Sequence, residues 1–284
     1  MTVMLPVIHA APASDHYEGR AGQPIDTSLL RGPATVDVTV VIPFFNPGVG
    51  LRRTVLAVVD CLSASDASFE VIAVSDGSTD GSADTIGDIA CVRVLANPRN
   101  EGKGAALHRG FVAAGGAWIG FIDADLDISP RHLVEYLRLA RQGDWAGVYA
   151  DKRHAGSESA ATSMRKALSR TYSTFVSALF HLDVRDTQTG CKVFRRDVLA
   201  EVLPRLRERR FAFDLEFFVV ARTAGITDFM PAAVNLASRV NGSTVCCRAV
   251  LRTLRDTLAV YGRHHLGAHH RMGARRALPI KMPT

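Results

Sequence analysis

The chain has 284 residues, with 34 Lys+Arg against 28 Asp+Glu and a formal net charge of +6. Eight of the basic residues (Arg248, Arg252, Arg255, Arg263, Arg271, Arg275, Arg276 and Lys281) and a single acid, Asp256, fall within residues 246–284, so the rest of the chain carries 26 positive and 27 negative charges. A surplus confined to one end argues against a nucleic-acid-binding globule, and 47% hydrophobic with 22% charged residues excludes a disordered or fibrous chain.

Residues 1–34 are rich in Ala, Pro, Gly and Ser without a sustained period, which predicts a flexible N-terminal extension. Met1–Ala13 has no basic segment ahead of its apolar residues, so no secretory leader is expected. From Val36 the texture changes. The run Val38–Ile42 is β-branched and stopped by Pro43, as in a buried parallel strand. Similar runs recur at 71–74, 92–95, 118–122 and 146–150, separated by helical patterns over 51–62, 80–89, 104–114 and 130–141. Alternation of this kind predicts an α/β domain over 35–245 with a mostly parallel central sheet flanked by helices. The second half predicts helices over 160–182, 213–224 and 245–261 and strands at 192–194 and 227–234. Residues 246–284 form a C-terminal helix and basic tail. No stretch reaches the roughly 18 consecutive apolar residues of a membrane span. Five scattered cysteines (Cys61, Cys91, Cys191, Cys246, Cys247) show neither zinc spacing nor a disulfide framework, which fits a reducing cytoplasm.

In an open α/β sheet, ligands collect beyond the carboxyl ends of the strands, and the informative residues all fall there. Asp123-Ala124-Asp125-Leu126-Asp127 follows the apolar run 118–122. Alternate residues of extended chain share a face, so Asp123, Asp125 and Asp127 can converge on one hard cation, Mg²⁺ or Mn²⁺. An EF-hand is excluded, because Ile128 and Val134 stand where glycine and glutamate are needed. Asp76-Gly77-Ser78-Thr79 follows another buried run. There Asp76 can accept hydrogen bonds from a base or ribose and Gly77 allows close approach, although Ser78 and Thr79 equally suit a helix cap. Asn100-Glu101-Gly102-Lys103-Gly104 lacks the hydroxyl of a Walker A loop. It retains a lysine in a glycine turn entering a helix, suited to anionic groups.

Taken with Ile42-Pro43-Phe44-Phe45-Asn46, these motifs stand in the order and spacing of inverting family-2 glycosyltransferases of the GT-A fold. Asp186-Thr187-Gln188-Thr189-Gly190-Cys191-Lys192, Phe211–Glu216 and Gly242–Val245 narrow the likeness. Over about residues 36–248 the chain resembles polyprenyl- and dolichyl-phosphate sugar synthases of the glucosyltransferase and mannose synthase type. The resemblance implies a nucleotide-sugar site at Pro43, Phe45, Asn46, Asp76, Gly77, Lys103, Asp123 and Ala124, with the metal on Asp123, Asp125 and Asp127. It implies an acceptor-phosphate site at Arg153, Arg165 and Ser169, and sugar or acceptor contacts at Gln188, Lys192, Asp214 and Glu216. Asp125, Asp186 and Arg165 become the catalytic candidates. Asp214 and Glu216, two apart on a helix, cannot share a face, so one of them is expected to meet the sugar. Pro47, Ser75 and Cys191 depart from the family pattern.

The expected activity is metal-dependent transfer of a hexose from a nucleotide sugar, UDP-linked in preference to GDP-mannose, to polyprenyl phosphate. The same fold serving a soluble hydroxyl acceptor, with Asp186 as base, is the first alternative; a non-catalytic nucleotide-sugar-binding protein is the second. In the tail, Val250, Leu251, Leu254, Leu258 and Tyr261 share a helical face beside Arg248, Arg252 and Arg255. That pattern suits either packing on the domain or peripheral docking on the inner face of the cell membrane. His264, His265, His269 and His270 read as a polar tail without a completed metal site.

Overall fold

The computed structural model describes residues 27–159, 163–237 and 247–266. Residues 1–26, the Gly242–Val245 motif, His269, His270 and the basic residues 271, 275, 276 and 281 lie outside the described residues, as do the side chains of Arg165, Ser169, Arg248, Arg252 and His265.

The first half alternates as its patterning predicts: β1 (Val36–Phe44), α2 (Gly50–Ser63), β2 (Phe69–Ser75), β3 (Val92–Ala96), α3 (Lys103–Val112), β4 (Gly116–Ile122), α4 (Arg131–Gln142) and β5 (Gly147–Ala150). A short helix, α1 (Ser28–Arg31), precedes them. Strand β1 runs parallel to both β2 and β4. Both faces of β1 are buried. Val41 packs with Ile72, Val74, Leu107 and Phe111, while Val40 and Ile42 pack with Val55, Val58 and Leu133 on the other side. A strand covered on both faces needs no polar alternation, hence its continuous apolar run. Helix α4 buries only His132, Leu133, Tyr136, Leu137 and Ala140, one stripe at helical spacing.

After β5 the chain forms β6 (Glu158–Ser159), α5 (Ser163–Phe180), β7 (Cys191–Arg195), α6 (Arg196–Val202), α7 (Phe213–Thr223), β8 (Phe229–Ala232), β9 (Asn235–Leu236), α8 (Cys247–Tyr261) and a π turn, Gly262–Leu266. The seven-stranded sheet has the order β3-β2-β1-β4-β7-β5-β8, a single α/β domain. Strand β7 is antiparallel to both β4 and β5. The excursion 151–190 leaves and re-enters the sheet at the carboxyl ends of β4 and β5, so the returning chain runs down between them. This brings Lys192 opposite both Phe121 and Tyr149.

Three expectations need correction. The helix over 80–89 is only a 3₁₀ segment, Ser82–Ile86, because Gly81 takes φ +73° and the Asp80 carboxylate accepts from the Ser82 and Gly48 amides. The strand over 227–234 shrinks to Phe229–Ala232 at the sheet edge, where Pro231 is tolerated. Residues 28–31, inside the span expected to be a flexible extension, form α1 and pack on the domain. Leu30 is buried, and the Arg196 guanidinium donates to the carbonyls of Leu29, Leu30, Ala114 and Gly116. Helix α8 packs one face on the domain through Thr257 and Val260, with the Tyr172 and Thr257 hydroxyls 2.9 Å apart. It leaves Arg255 and Leu258 exposed. No helix among the described residues is long and apolar enough to cross a membrane.

Candidate active site

The carboxyl ends of β1, β2 and β4 carry the site. Beyond β1, exposed Phe45 leads into Asn46 at φ +48°, a conformation asparagine tolerates. Asn46 ties the turn to the next loop, its amide donating to Ser78 Oγ (3.0 Å) and its Oδ1 accepting from the Thr79 amide (2.8 Å). Ser75, one of the departures from the family pattern, accepts from the Ser78 amide at 3.0 Å and so closes the same turn. Gly77 is required on two counts. Its φ is +74°, and a Cβ would stand 2.4 Å from the Arg99 backbone.

Asp76 is buried and its carboxylate is largely occupied. It accepts from Asn97 Nδ2 (3.0 Å), the Glu101 amide (3.0 Å) and the Gly102 amide (2.8 Å). In this arrangement Asp76 clamps the glycine turn that launches α3. Asn97, which sequence reading passed over, completes the clamp. Lys103 is the first residue of α3, and its ammonium reaches Asp123 Oδ1 at 2.5 Å. Burial works against that charge, yet Asp123, Asp214 and Asp125 outweigh it and raise the Lys103 pKa.

Phe121, also absent from the sequence-derived set, lies between two cations. Lys103 Nζ is 5.1 Å and Lys192 Nζ 5.0 Å from its ring centroid. Lys192 is fully buried and donates to the Thr189 carbonyl and Asp214 Oδ1, each at 2.7 Å. The structure therefore turns Asp214 toward the cluster. Glu216 faces the other way. Its Oε2 accepts from the Arg207 and Glu208 amides, and its Oε1 meets Arg263 and His264. Glu216 thus lies against the C-terminal segment, away from Lys192, and His264 is a packed partner where a polar tail was expected. Gly190 is a further residue that the motif contained without a role. A Cβ there would stand 1.7 Å from Asp123 Oδ2, so only glycine leaves room for that carboxylate.

In the 186–192 motif, Asp186 is buried and accepts from Thr189 Oγ1 (2.7 Å) and from the Gln188, Thr189 and Lys152 amides (3.1, 3.2 and 3.2 Å). Burial pushes its carboxyl up, but the Lys152 charge, the Thr189 hydroxyl, the Lys152 amide and the Lys192 charge together hold it below the ordinary range. A carboxyl held that low is a weak proton acceptor. Lys152 Nζ stands 3.8 Å from Asp186 Oδ2. Exposed Arg153 donates from its guanidinium to the Arg185 carbonyl, beside Asp186. Gln188 Nε2 donates to Thr187 Oγ1 at 3.4 Å.

Residues 39–203 match the profile of glycosyl transferase family 2. The chain belongs to that family. It is 30% identical over 199 residues to glycosyltransferase AglD of Haloferax volcanii, covering 68% of this chain and 32% of AglD. It is 25% identical over 219 residues to a dolichyl-phosphate beta-glucosyltransferase of Dictyostelium discoideum, covering 70% of this chain and 67% of that protein. This family-2 chain thus spans about a third of AglD and two thirds of the Dictyostelium protein. Its fold is that of glucosyl-3-phosphoglycerate synthase from Mycobacterium tuberculosis, whose structure with Mn²⁺, UDP and glucosyl-3-phosphoglycerate aligns at TM-score 0.60. There the identity is 18%, with 86% of this chain and 85% of that one covered.

The family-2 donor set suits a hard divalent ion. Asp123 and Asp125 offer carboxylate oxygens, and Asp123 already attracts a cation, the Lys103 ammonium. The bend after Asp125 is fixed by Leu126 at φ +56° and by the Asp127 amide donating to Asp125 Oδ1 at 3.1 Å. Among the described residues no three His, Cys, Asp or Glu side chains are already gathered into a group able to hold a metal. Two carboxylates suffice for an ion that takes its other positions from phosphate and water.

Proposed function

We propose that the chain transfers a hexose, with inversion, from a nucleotide sugar to a polyprenyl phosphate at the cytoplasmic face of a membrane. UDP-glucose is the favoured donor and GDP-mannose the second. The observation that carries the reading is the state of Asp186. A hydroxyl acceptor needs a base with an available lone pair and a pKa near neutrality. Asp186 instead spends its oxygens on four donors, and its carboxyl is held below the ordinary carboxylate range, which weakens it as a proton acceptor. A phosphate acceptor arrives already anionic and needs positioning more than deprotonation. The likeness to dolichyl-phosphate beta-glucosyltransferases supports the same acceptor, and the fold shared with a UDP- and Mn²⁺-bound synthase supports the donor.

The roles then distribute as follows. Pro43, Phe45, Asn46, Gly77 and Ala124 shape the nucleotide pocket, and Asp76 holds the turn that presents Lys103 to the diphosphate. Asp123 and Asp125 would hold Mg²⁺ or Mn²⁺. Such an ion, when bound, neutralises charge on the departing diphosphate. Lys192, fixed by Asp214, places a buried positive charge behind the sugar site. Asp186 aligns the loop carrying Gln188, while Arg153, Arg165 and Ser169 receive the acceptor phosphate, which attacks the anomeric carbon opposite the leaving group. Exposed Phe175, Leu258 and Arg255 on α5 and α8, with the basic residues beyond 266, provide a peripheral membrane contact.

Incubation with UDP-glucose, Mg²⁺ and polyprenyl phosphate should release UDP and yield the lipid-linked sugar by mass. Asp125→Asn should lower kcat/KM by at least about 100-fold. Arg165→Ala should cost about as much with the phosphate acceptor. Turnover only with hydroxyl acceptors moves the activity to the soluble alternative, and nucleotide binding without transfer to any acceptor leaves a binding protein.

A further inference from the structure

Glu216 has no exposed surface, and four groups converge on its carboxylate. Two belong to the chain ahead of α7, the Arg207 amide at 2.7 Å and the Glu208 amide at 2.6 Å. The other two come from the π turn after α8, His264 Nε2 at 3.1 Å and, as an ion pair without a hydrogen bond, Arg263 Nε at 3.2 Å. Arg263 also reaches Glu208 Oε2 at 3.0 Å. The C-terminal turn is thereby bound to the loop 206–211 through two carboxylates that burial would otherwise leave uncompensated.

That loop lies directly on the donor turn. The Arg209 carbonyl accepts from the Ala105 amide at 2.9 Å, and the Arg209 guanidinium pairs with Glu101. A Cβ at Gly102 would stand 2.5 Å from the Arg209 carbonyl oxygen, and one at Gly104 would stand 2.7 Å from Phe213 Cβ. These two glycines flank Lys103, whose ammonium meets Asp123. Contact is therefore continuous from the C-terminal turn to the cation at the diphosphate site. A one-sided clamp by Asp76 would leave the other side of the glycine turn to solvent, and the 206–211 loop closes that side.

We propose that Arg263 and His264 are positioning residues for the donor site, acting through Glu216 and the loop 206–211 to hold the Lys103 turn in its nucleotide-ready shape. The inference rests on the donor-site reading above for its consequence, but its mechanical part concerns the protein alone. It also moves the functional end of the catalytic unit from the start of α8 to His264.

Backbone amide exchange on the full chain without ligand tests the mechanical part, and titration with UDP or GDP plus Mn²⁺ tests the consequence. In Arg263→Ala/His264→Ala, exchange should rise about tenfold at 100–106 and 206–211 while β1 and β2 stay protected, and nucleotide affinity should fall about tenfold. The pair Arg263→Lys/His264→Gln, which keeps a positive charge and a side-chain donor toward Glu216, should restore both. Arg209→Ala, run in parallel, should loosen 100–106 without touching the C-terminal turn, and the single variant His264→Ala, read in the same way, decides the matter if the alanine pair does not fold. Unchanged exchange at 100–106 in these variants overturns the proposal. So does a uniform rise that includes β1 and β2, which marks a merely structural contact. A wild-type chain that binds no nucleotide refutes the functional reading and leaves exchange to judge the latch.

Discussion

Lys192 and Gly190 sit two residues apart on one motif and act in opposite ways, one by what it contributes and the other by what it leaves out. Lys192 is a buried charge whose partner is Asp214, 22 positions away. Removing one member of such a pair strands the other, so Lys192→Met should destabilise the protein by about 3 to 5 kcal/mol in chemical denaturation, and Lys192→Met/Asp214→Leu should recover most of that loss. Gly190→Ala should leave the fold largely intact yet displace the Asp123 carboxylate. We expect nucleotide-dependent turnover to fall about 100-fold for a shift of about 1 Å. Asp186 and Glu216 add a pH dependence. Burial raises both carboxyls, but Lys152 with the Thr189 hydroxyl, and His264 with the Glu208 and Arg207 amides, lower them further. Groups depressed in the fold stabilise it above their unfolded pKa values of about 4, and that contribution disappears as pH falls through the folded values. Acid unfolding monitored by tryptophan fluorescence should therefore begin at a lower pH in the wild type than in Asp186→Asn.

The elements of the first half were legible because each expresses a local rule. Apolar runs closed by Pro43 or by Asp76-Gly77 announce strands, and the stripe Leu133, Tyr136, Leu137, Ala140 announces α4. The 80–89 helix misled because its apolar spacing was real while Gly81 and the Asp80 side chain withheld the helical start. Strand β7 was found, but its antiparallel place between β4 and β5 was not, since a five-residue run carries no sign of direction. That strand organises the aromatic core beside α7, where Phe194 and Phe217 centroids are 4.2 Å apart and Phe218 and Phe229 are 5.1 Å apart. Phe217→Ala should cost roughly 3 to 5 kcal/mol, read as a lowered denaturation midpoint with an unchanged slope. Failure of this cluster should loosen α7 and, with it, Asp214.

For the whole molecule, the charge surplus of the last 39 residues divides in two. Arg263 belongs to the folded body through Glu208 and Glu216, and Arg255 lies on an exposed face of α8. Arg271, Arg275, Arg276 and Lys281 follow Leu266. A truncation at 263 would thus remove a structural clasp together with the tail. Deleting 267–284 is the cleaner cut, and it should weaken binding to anionic liposomes, the more so at low ionic strength, while leaving nucleotide affinity unchanged. Unaltered liposome binding would leave the tail without that role.

The amino-acid sequence by itself determined the alternation of strands and helices, the family motifs at the strand ends, and the concentration of chemistry on one side of the sheet. These follow from local periodicity, from turn residues and from the chain direction shared by parallel strands. Only the tertiary structure decided that Asp76 clamps a loop, that Asp214 and not Glu216 meets Lys192, that Gly190 makes room for Asp123, and that the C-terminal turn closes onto Glu216 and Glu208. Each of those outcomes depends on which distant groups share a buried space. Burial makes a charge seek the nearest compensating partner, and that partner is set by the path of the folded chain.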